Sequence, residues 1–125
     1  LHVIVRLLIS QRRIITFLAF DKKEAVGYVS LVFPKYTKLR GNTYLTIGVR
    51  AKYRGKGIGT LLMNKAEGYA KEKGMRRVEL EVFGKNTTAI DMYKKRDYEV
   101  EGTKKEAIES PNGFDDIIIM AKKLK

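Results

Sequence analysis

The chain has 125 residues, 44% hydrophobic and 32% charged, with 26 Lys and Arg against 14 Asp and Glu, so its formal net charge is +12. This composition excludes a disordered or low-complexity chain and predicts one globular domain over residues 1–125. There is no cysteine, which removes disulfides, thiolate metal ligands and a cysteine nucleophile. The charge calls for an anionic partner or a heavily solvated cationic surface. No apolar run approaches the roughly 20 residues a membrane helix needs. The apolar opening LHVIVRLLIS lacks a basic leader and a cleavage site. No membrane association is therefore expected, and a cytoplasmic location is. The single glutamine (Gln11) and the abundant Lys and Glu resemble a heat-adapted composition.

The first thirteen residues fit either a strand or a helix. RRIITFLAFD and EAVGYVSLVF are β-branched and aromatic runs joined at DKKE, which predicts a hairpin. A polar loop, PKYTKLRGN, leads to a third strand at TYLTIGV. After a glycine-rich stretch, Ile58, Leu61, Leu62, Ala66, Tyr69 and Ala70 keep the spacing of a buried helical stripe, and Gly74 stops the helix. RRVELEVF alternates Val78, Leu80 and Val82 with Glu79 and Glu81, as a half-buried strand does. NTTAIDMYKKR reads as a short helix capped by Asn86 or Thr87. A second hairpin follows, from YEVEGTKKEAI through ESPNGF to DDIIIMAKKL. This order predicts a mixed sheet with helices packed on it.

The stretch RGKGIG, residues 54–59, lies between a strand and a helix, where free backbone N–H groups bind phosphate oxygens. Its glycines permit φ > 0 and close approach of a ligand, and Arg54 and Lys56 add positive charge. A Walker A loop is excluded because Arg50 stands where its first glycine belongs. A dinucleotide fingerprint is excluded because the third glycine is missing. Taken alone, the stretch also reads as a flexible basic turn.

The pattern R-x-x-G-x-G formed by Arg54, Gly57 and Gly59 resembles the acyl-coenzyme A loop of the GNAT superfamily, the GCN5-related N-acetyltransferases. After the next strand, Asn86 and Tyr93 stand at the family's spacing. LEVFGKNTTAIDMYKKRDYEVEG is similar to the family segment L-E-V-x-x-x-N-x-x-A-x-x-x-Y-x-K-x-G-F, and NGFDDIIIMAKKL is similar to its closing hairpin. The resemblance covers roughly residues 14 to 125 and is nearest in motif detail to the ribosomal-protein-alanine and related N-terminal acetyltransferases. It implies an α+β fold of the α/β three-layer type, a mixed and largely antiparallel sheet flanked by helices, with a short N-terminal part.

The resemblance also implies acetyl-CoA as co-substrate, no metal, and direct transfer of the acetyl group to an amine. The N–H groups around Arg54, Gly55, Lys56, Gly57, Ile58, Gly59 and Thr60 would hold the pyrophosphate. The strand ending at Ile47, Gly48 and Val49 would lie along the pantetheine and polarise the thioester carbonyl. Asn86 would hydrogen-bond the cofactor arm, and Tyr93, also expected among the cofactor-binding residues, would be the general acid or else an aromatic anchor of its helix. Glu81 matches the base of the N-terminal acetyltransferases, but it also reads as an exposed strand glutamate in a salt bridge; Glu79 shares its face. Family members that take the base from the preceding strand have counterparts here in Thr43 and Thr46, which cannot serve. His2, the sole histidine, supports neither a triad nor a metal site.

The chain departs from the family in three places. Asp97 replaces the glycine before the aromatic Tyr98, and aspartate can still adopt the left-handed conformation. Ala107 and Ile108 replace the tyrosine pair that grips a peptide acceptor in the N-terminal acetyltransferases. The two helices that wall the acceptor site have no room before residue 14, so the wall is trimmed, missing, or supplied by a second subunit in a homodimer. The acceptor is expected to be a protein N-terminal α-amine or a small-molecule amine. Nucleic acid is not the expected partner, but two other readings stay open. One is a basic nucleic-acid-binding domain using surface aromatics such as Tyr36, Tyr44 and Tyr53. The other is a catalytically silent domain that binds acetyl-CoA.

Overall fold

The computed structural model describes residues 2–11, 13–35 and 41–124, so Tyr36 lies outside the described residues. Seven strands form one sheet: β1 (Val3–Gln11), β2 (Ile14–Asp21), β3 (Glu24–Val32), β4 (Asn42–Val49), β5 (Arg77–Phe83), β6 (Glu99–Ser110) and β7 (Gly113–Lys123). Their order is β1-β2-β3-β4-β5-β7-β6. Only β4 and β5 pair in parallel, across α1 (Ile58–Glu72); α2 (Thr87–Lys95) joins β5 to β6.

The ambiguous opening is a strand. β1 pairs antiparallel with β2 from Val3↔Asp21 to Gln11↔Ile14, with a bulge between Leu7 and Ile9. Its alternation decides this: Val3 and Val5 pack on the core while Ile4 between them is 52% exposed. β1 ends at Gln11 and β2 begins at Ile14, so no helix intervenes there among the described residues. The closing hairpin is longer than expected, because β6 and β7 leave only Pro111 and Asn112 for the turn.

The core lies on the face that α1 covers. Alternate residues of the sheet (Phe17, Val29, Leu45, Val78, Leu80 and Met120 among them) meet Ile58, Leu62, Met63, Ala66 and Ala70 of the helix. Leu61, expected in the buried stripe, is 44% exposed, whereas Met63 is fully buried. At 100° per residue the buried arc centres between Leu62 and Ala66, which turns Leu61 to the rim and draws Met63 inward. Tyr93 and Tyr98 complete the core from α2 and the turn after it. Asp97, in that turn, has φ 72°, the left-handed conformation expected of the family's glycine. Over the opposite sheet face, which carries Thr16, Tyr28, Ser30, Tyr44 and Thr46, no helix lies among the described residues.

Glu67, in the middle of α1, ties the layers together. It accepts hydrogen bonds from Arg96 (3.0 Å to Oε1, 3.3 Å to Oε2), from Lys122 of β7 (3.0 Å) and from the Tyr98 hydroxyl (2.9 Å). Burial alone would raise its carboxyl, but the bonds from Arg96, Lys122 and Tyr98 outweigh it and hold the group below the usual carboxylate range. We expect Glu67→Gln to cost about 2–3 kcal/mol in denaturant unfolding, because Arg96 and Lys122 lose their counter-charge while keeping some solvent. A depressed folded-state value means the contribution is complete above the ordinary Glu range, about 4.3, and is lost as pH falls through the lower folded value. Melting temperature should therefore drop with acid in the wild type more steeply than in Glu67→Gln.

Candidate active site

The site originates in a divergence of strands. β4 and β5 pair from Asn42↔Arg77 to Leu45↔Leu80 and then separate, although β4 continues to Val49 and β5 to Phe83. Each keeps its other partner: Val49 still opposes Gly27 of β3, and Phe83 still opposes Ile117 of β7. A V-shaped gap opens in the middle of the sheet. Arg50 N–H donates to the Val26 carbonyl (2.9 Å), so alternation along the antiparallel ladder commits Gly48 and Thr46 to β3 as well. Ile47 and Val49 then direct their N–H and C=O into the gap. The Val49 carbonyl accepts from Arg54 Nε (3.2 Å), leaving the N–H of both residues available.

One end of the gap is the glycine loop. Gly55 (φ 74°) and Gly57 (φ 83°) adopt left-handed backbone conformations that side-chain-bearing residues resist. Gly57 caps α1 with no side-chain hydrogen bond and no acidic residue in the first turn, so the first N–H groups of the helix point outward at its positive end. A groove of about 570 Å³ runs from there along β4 to α2. Nine residues expected to bind a cofactor line it: Ile47, Gly48, Val49, Arg54, Gly55, Gly57, Gly59, Thr60 and Asn86. Lys56 is exposed on the loop outside the lining. Ile58 is 1% exposed with its side chain in the core, so only its N–H is free to serve. Asn86 caps α2, its Oδ1 accepting from Ala89 N–H (3.2 Å), which leaves its amide nitrogen as a donor. Thr88, Ala89 and Met92 also line the groove. No residue type marks them in the sequence, since only the seating of α2 turns that face toward β4.

The other end is a cavity of about 430 Å³ between the arms of the V, lined by Tyr44, Thr46, Ile47, Glu79, Glu81, Phe83 and Tyr93 among others. The two spaces share Ile47. Tyr93 is 6% exposed and stacks at a tilt on Tyr98 with ring centroids 5.7 Å apart; burial raises its phenol and keeps it protonated. Its hydroxyl has no hydrogen-bond partner among the described residues. Because no buried side-chain polar atom among them is left unpaired, that oxygen opens into the cavity. Glu81 pairs with Lys104 (3.2 Å), both about half exposed. Glu79 pairs with Arg77 (3.1 Å), which also holds Asn42 and Glu101. Thr46 lines the cavity, whereas Thr43 is fully buried and donates to the Val32 carbonyl (3.0 Å).

A seven-stranded mixed sheet is thus opened between its parallel pair, beside a basic glycine loop. The model of the Acetyltransferase (GNAT) family matches residues 5–98, and the chain belongs to that family. Over 53 residues it is 51% identical to an uncharacterized N-acetyltransferase of Methanocaldococcus jannaschii, covering 42% of this chain and 24% of that protein. Over 71 residues it is 39% identical to the thialysine N-epsilon-acetyltransferase of Bos taurus, covering 55% of this chain and 41% of that one. The chain thus spans less than half the length of these two curated relatives. The acetyltransferase of the GNAT family from Streptococcus pneumoniae superposes with a TM-score of 0.85 at 29% identity, over 92% of this chain and 70% of that one. The ribosomal-protein-S18-alanine N-acetyltransferase from Escherichia coli, with a TM-score of 0.84 at 20% identity over 93% and 72%, shares the fold.

Tyr53, one of the aromatics of the nucleic-acid reading, closes the short 3-10 turn Ala51–Tyr53 before the glycine loop and is half-buried there, not a free surface ring. Its hydroxyl donates to Glu24 (2.6 Å) and approaches Asp21 (3.3 Å), fastening the loop to the β2–β3 turn. The bond to Glu24 pushes the phenol up to about 12 and, in return, holds the Glu24 carboxyl below its usual range. The raised value means the tie is complete below about pH 10 and is lost as pH climbs through about 12. Tyr53→Phe should speed amide hydrogen exchange in residues 50–57 at neutral pH, while exchange in α1 beyond its first turn stays unchanged.

Proposed function

We propose that this chain transfers the acetyl group of acetyl-CoA directly to a primary amine in a ternary complex. The observation that supports this best is the meeting at Ile47 of two spaces, one led by free helix N–H groups, the other holding a protonated, unpartnered Tyr93 hydroxyl. The names of the relatives from Methanocaldococcus jannaschii and Bos taurus, both N-acetyltransferases, support an amine as acceptor. That amine is a protein N-terminal α-amine or a small-molecule amine.

In this reading the N–H groups of Ile58, Gly59 and Thr60, with Arg54 and Lys56, bind the pyrophosphate. The free N–H groups of Ile47 and Val49 pair with the pantetheine and polarise the thioester carbonyl, and the Asn86 amide holds the arm. Acetyl-CoA supplies an activated acetyl group with a thiolate leaving group. Most of an amine population is protonated at neutral pH, with values of about 8 for an α-amine and 10.4 for lysine. Glu81, directly or through water, takes that proton. As the new C–N bond forms and the C–S bond breaks, Tyr93 Oη–H protonates the sulfur. No helix among the described residues is long and apolar enough to cross a membrane.

The charge favours a second reading, a basic nucleic-acid-binding domain, since residues 1–74 hold fifteen Lys and Arg against four Asp and Glu. Thermal shift with acetyl-CoA, followed by thiol release across peptides, polyamines and aminoglycosides, separates the readings. A shift with thiol release supports the enzyme. A shift without release with any amine indicates a silent binder, and salt-sensitive DNA or RNA binding with no shift indicates the second reading. In the same assays Tyr93→Phe should lower turnover about 10²-fold with little change in acetyl-CoA affinity; full activity would remove its role as acid. A Cβ at Gly59 meets nothing within 4 Å. Gly59→Val should therefore fold normally yet lose acetyl-CoA binding at least about tenfold, because it fills the anion cradle.

A further inference from the structure

The cavity between β4 and β5 is acidic in a strongly basic chain. Glu79 and Glu81 are alternate residues of β5, so their side chains leave the same sheet face about 6.7 Å apart. Each gives one oxygen to an internal cation: Glu79 Oε1 accepts from Arg77 and Glu81 Oε2 from Lys104. Neither second oxygen has a hydrogen-bond partner among the described residues. Counting Glu101 on Arg77, three carboxylates face two cations, and one negative charge is left over. A charge of +12 repels cations only within the screening length of about 8–10 Å beyond the surface, so this local surplus acts on a ligand already in the cavity. The Tyr93 hydroxyl, on a residue only 6% exposed, is a second polar group turned into the same space without a partner among the described residues.

These groups are arranged in order along the V. The register places Glu79 opposite Tyr44 in its closed end, whereas Ile47 and Tyr93 lie toward the open end, where the two spaces meet. The rings of Tyr44, 37% exposed, and Phe83, 54% exposed, give methylene groups and an ammonium something to pack against. One carboxylate is enough to accept a proton from a reacting amine. Arg77 occupies only Oε1 of Glu79, so a second carboxylate oxygen, one strand repeat further in, is left over that a monoamine does not use.

Given the acetyltransferase reading, on which this rests, we propose that the acceptor is a linear diamine. One nitrogen attacks near Ile47 and passes its proton to Glu81. The other stays an ammonium held by Glu79. A chain of three or four methylenes sets two nitrogens at about the same separation as alternate residues of a strand. A peptide N-terminus carries no second charge at that distance.

The test is thiol release by the full chain from acetyl-CoA with 1,4-diaminobutane, 1-aminobutane, 4-aminobutanol and an Ala-initiated peptide. We expect kcat/KM for the diamine at least tenfold above each of the others, carried mainly by KM and falling as salt rises. Glu79→Gln should reduce the diamine's advantage at least fivefold through KM, and Glu79→Asp should restore part of it. If the monoamine or the peptide matches the diamine in the wild type, the diamine inference fails while the acetyltransferase reading stands. An advantage that persists in Glu79→Gln also overturns it. If acetyl-CoA gives neither a thermal shift nor thiol release, the acetyltransferase reading falls and takes the inference with it.

Discussion

The rest of the structure depends on the loss of pairing between β4 and β5 after four residues. Past the split both strands remain paired on their outer sides, so the gap between them is held open by the sheet and needs no mobile lid. A sheet interior normally has no free N–H groups, since each unpaired one that is buried costs free energy comparable to a lost hydrogen bond. Here Ile47 and Val49 keep theirs because the gap is accessible on both sides. The consequence is an edge in the middle of a sheet, where an extended ligand can pair without the aggregation hazard of an outer strand.

Two fields converge on that edge. From one side come the positive end of α1 and the basic residues Arg54 and Lys56. From the other comes a surplus of carboxylate on β5, in a part of the chain where acids nearly balance bases. Residues 75–125 hold eleven Lys and Arg against ten Asp and Glu, so almost all of the net charge belongs to the half that carries the glycine loop. An anionic ligand and a cationic one can thus approach the same point from opposite sides without competing. The Tyr53–Glu24 bond and the Glu67 cluster stand behind these fields: one fixes the loop to a hairpin turn, the other fixes α1 to α2 and β7.

β1 ends at Gln11 and β2 begins at Ile14, and among the described residues no helix covers the face of the sheet opposite α1. The cavity walls are strand side chains, Tyr44, Thr46, Glu79 and Glu81 among them, together with Tyr93 of α2.

Local chemistry was enough to read the glycine loop, the cap at Asn86, both hairpins and the alternation of β5 directly from the sequence, because each depends on the conformational preferences of residues adjacent in the chain. The fold class followed from their order. Leu61 and Met63 exchanged roles because the rotation of a helix about its axis is set by the sheet beneath it, which periodicity does not encode to within a residue. The opening strand was ambiguous for a similar reason: a run of nine residues becomes strand or helix according to whether a paired edge is waiting, and β2 supplied one. Tyr53, Thr88, Met92 and the Glu67 cluster had no local signal, since their partners lie far away in sequence. The sequence by itself determined where chain segments bend, cap and alternate. Only the tertiary structure decided which N–H groups are left unpaired, which hydroxyl opens into a cavity without a protein partner and which carboxylates share that cavity, because those properties arise when distant segments meet.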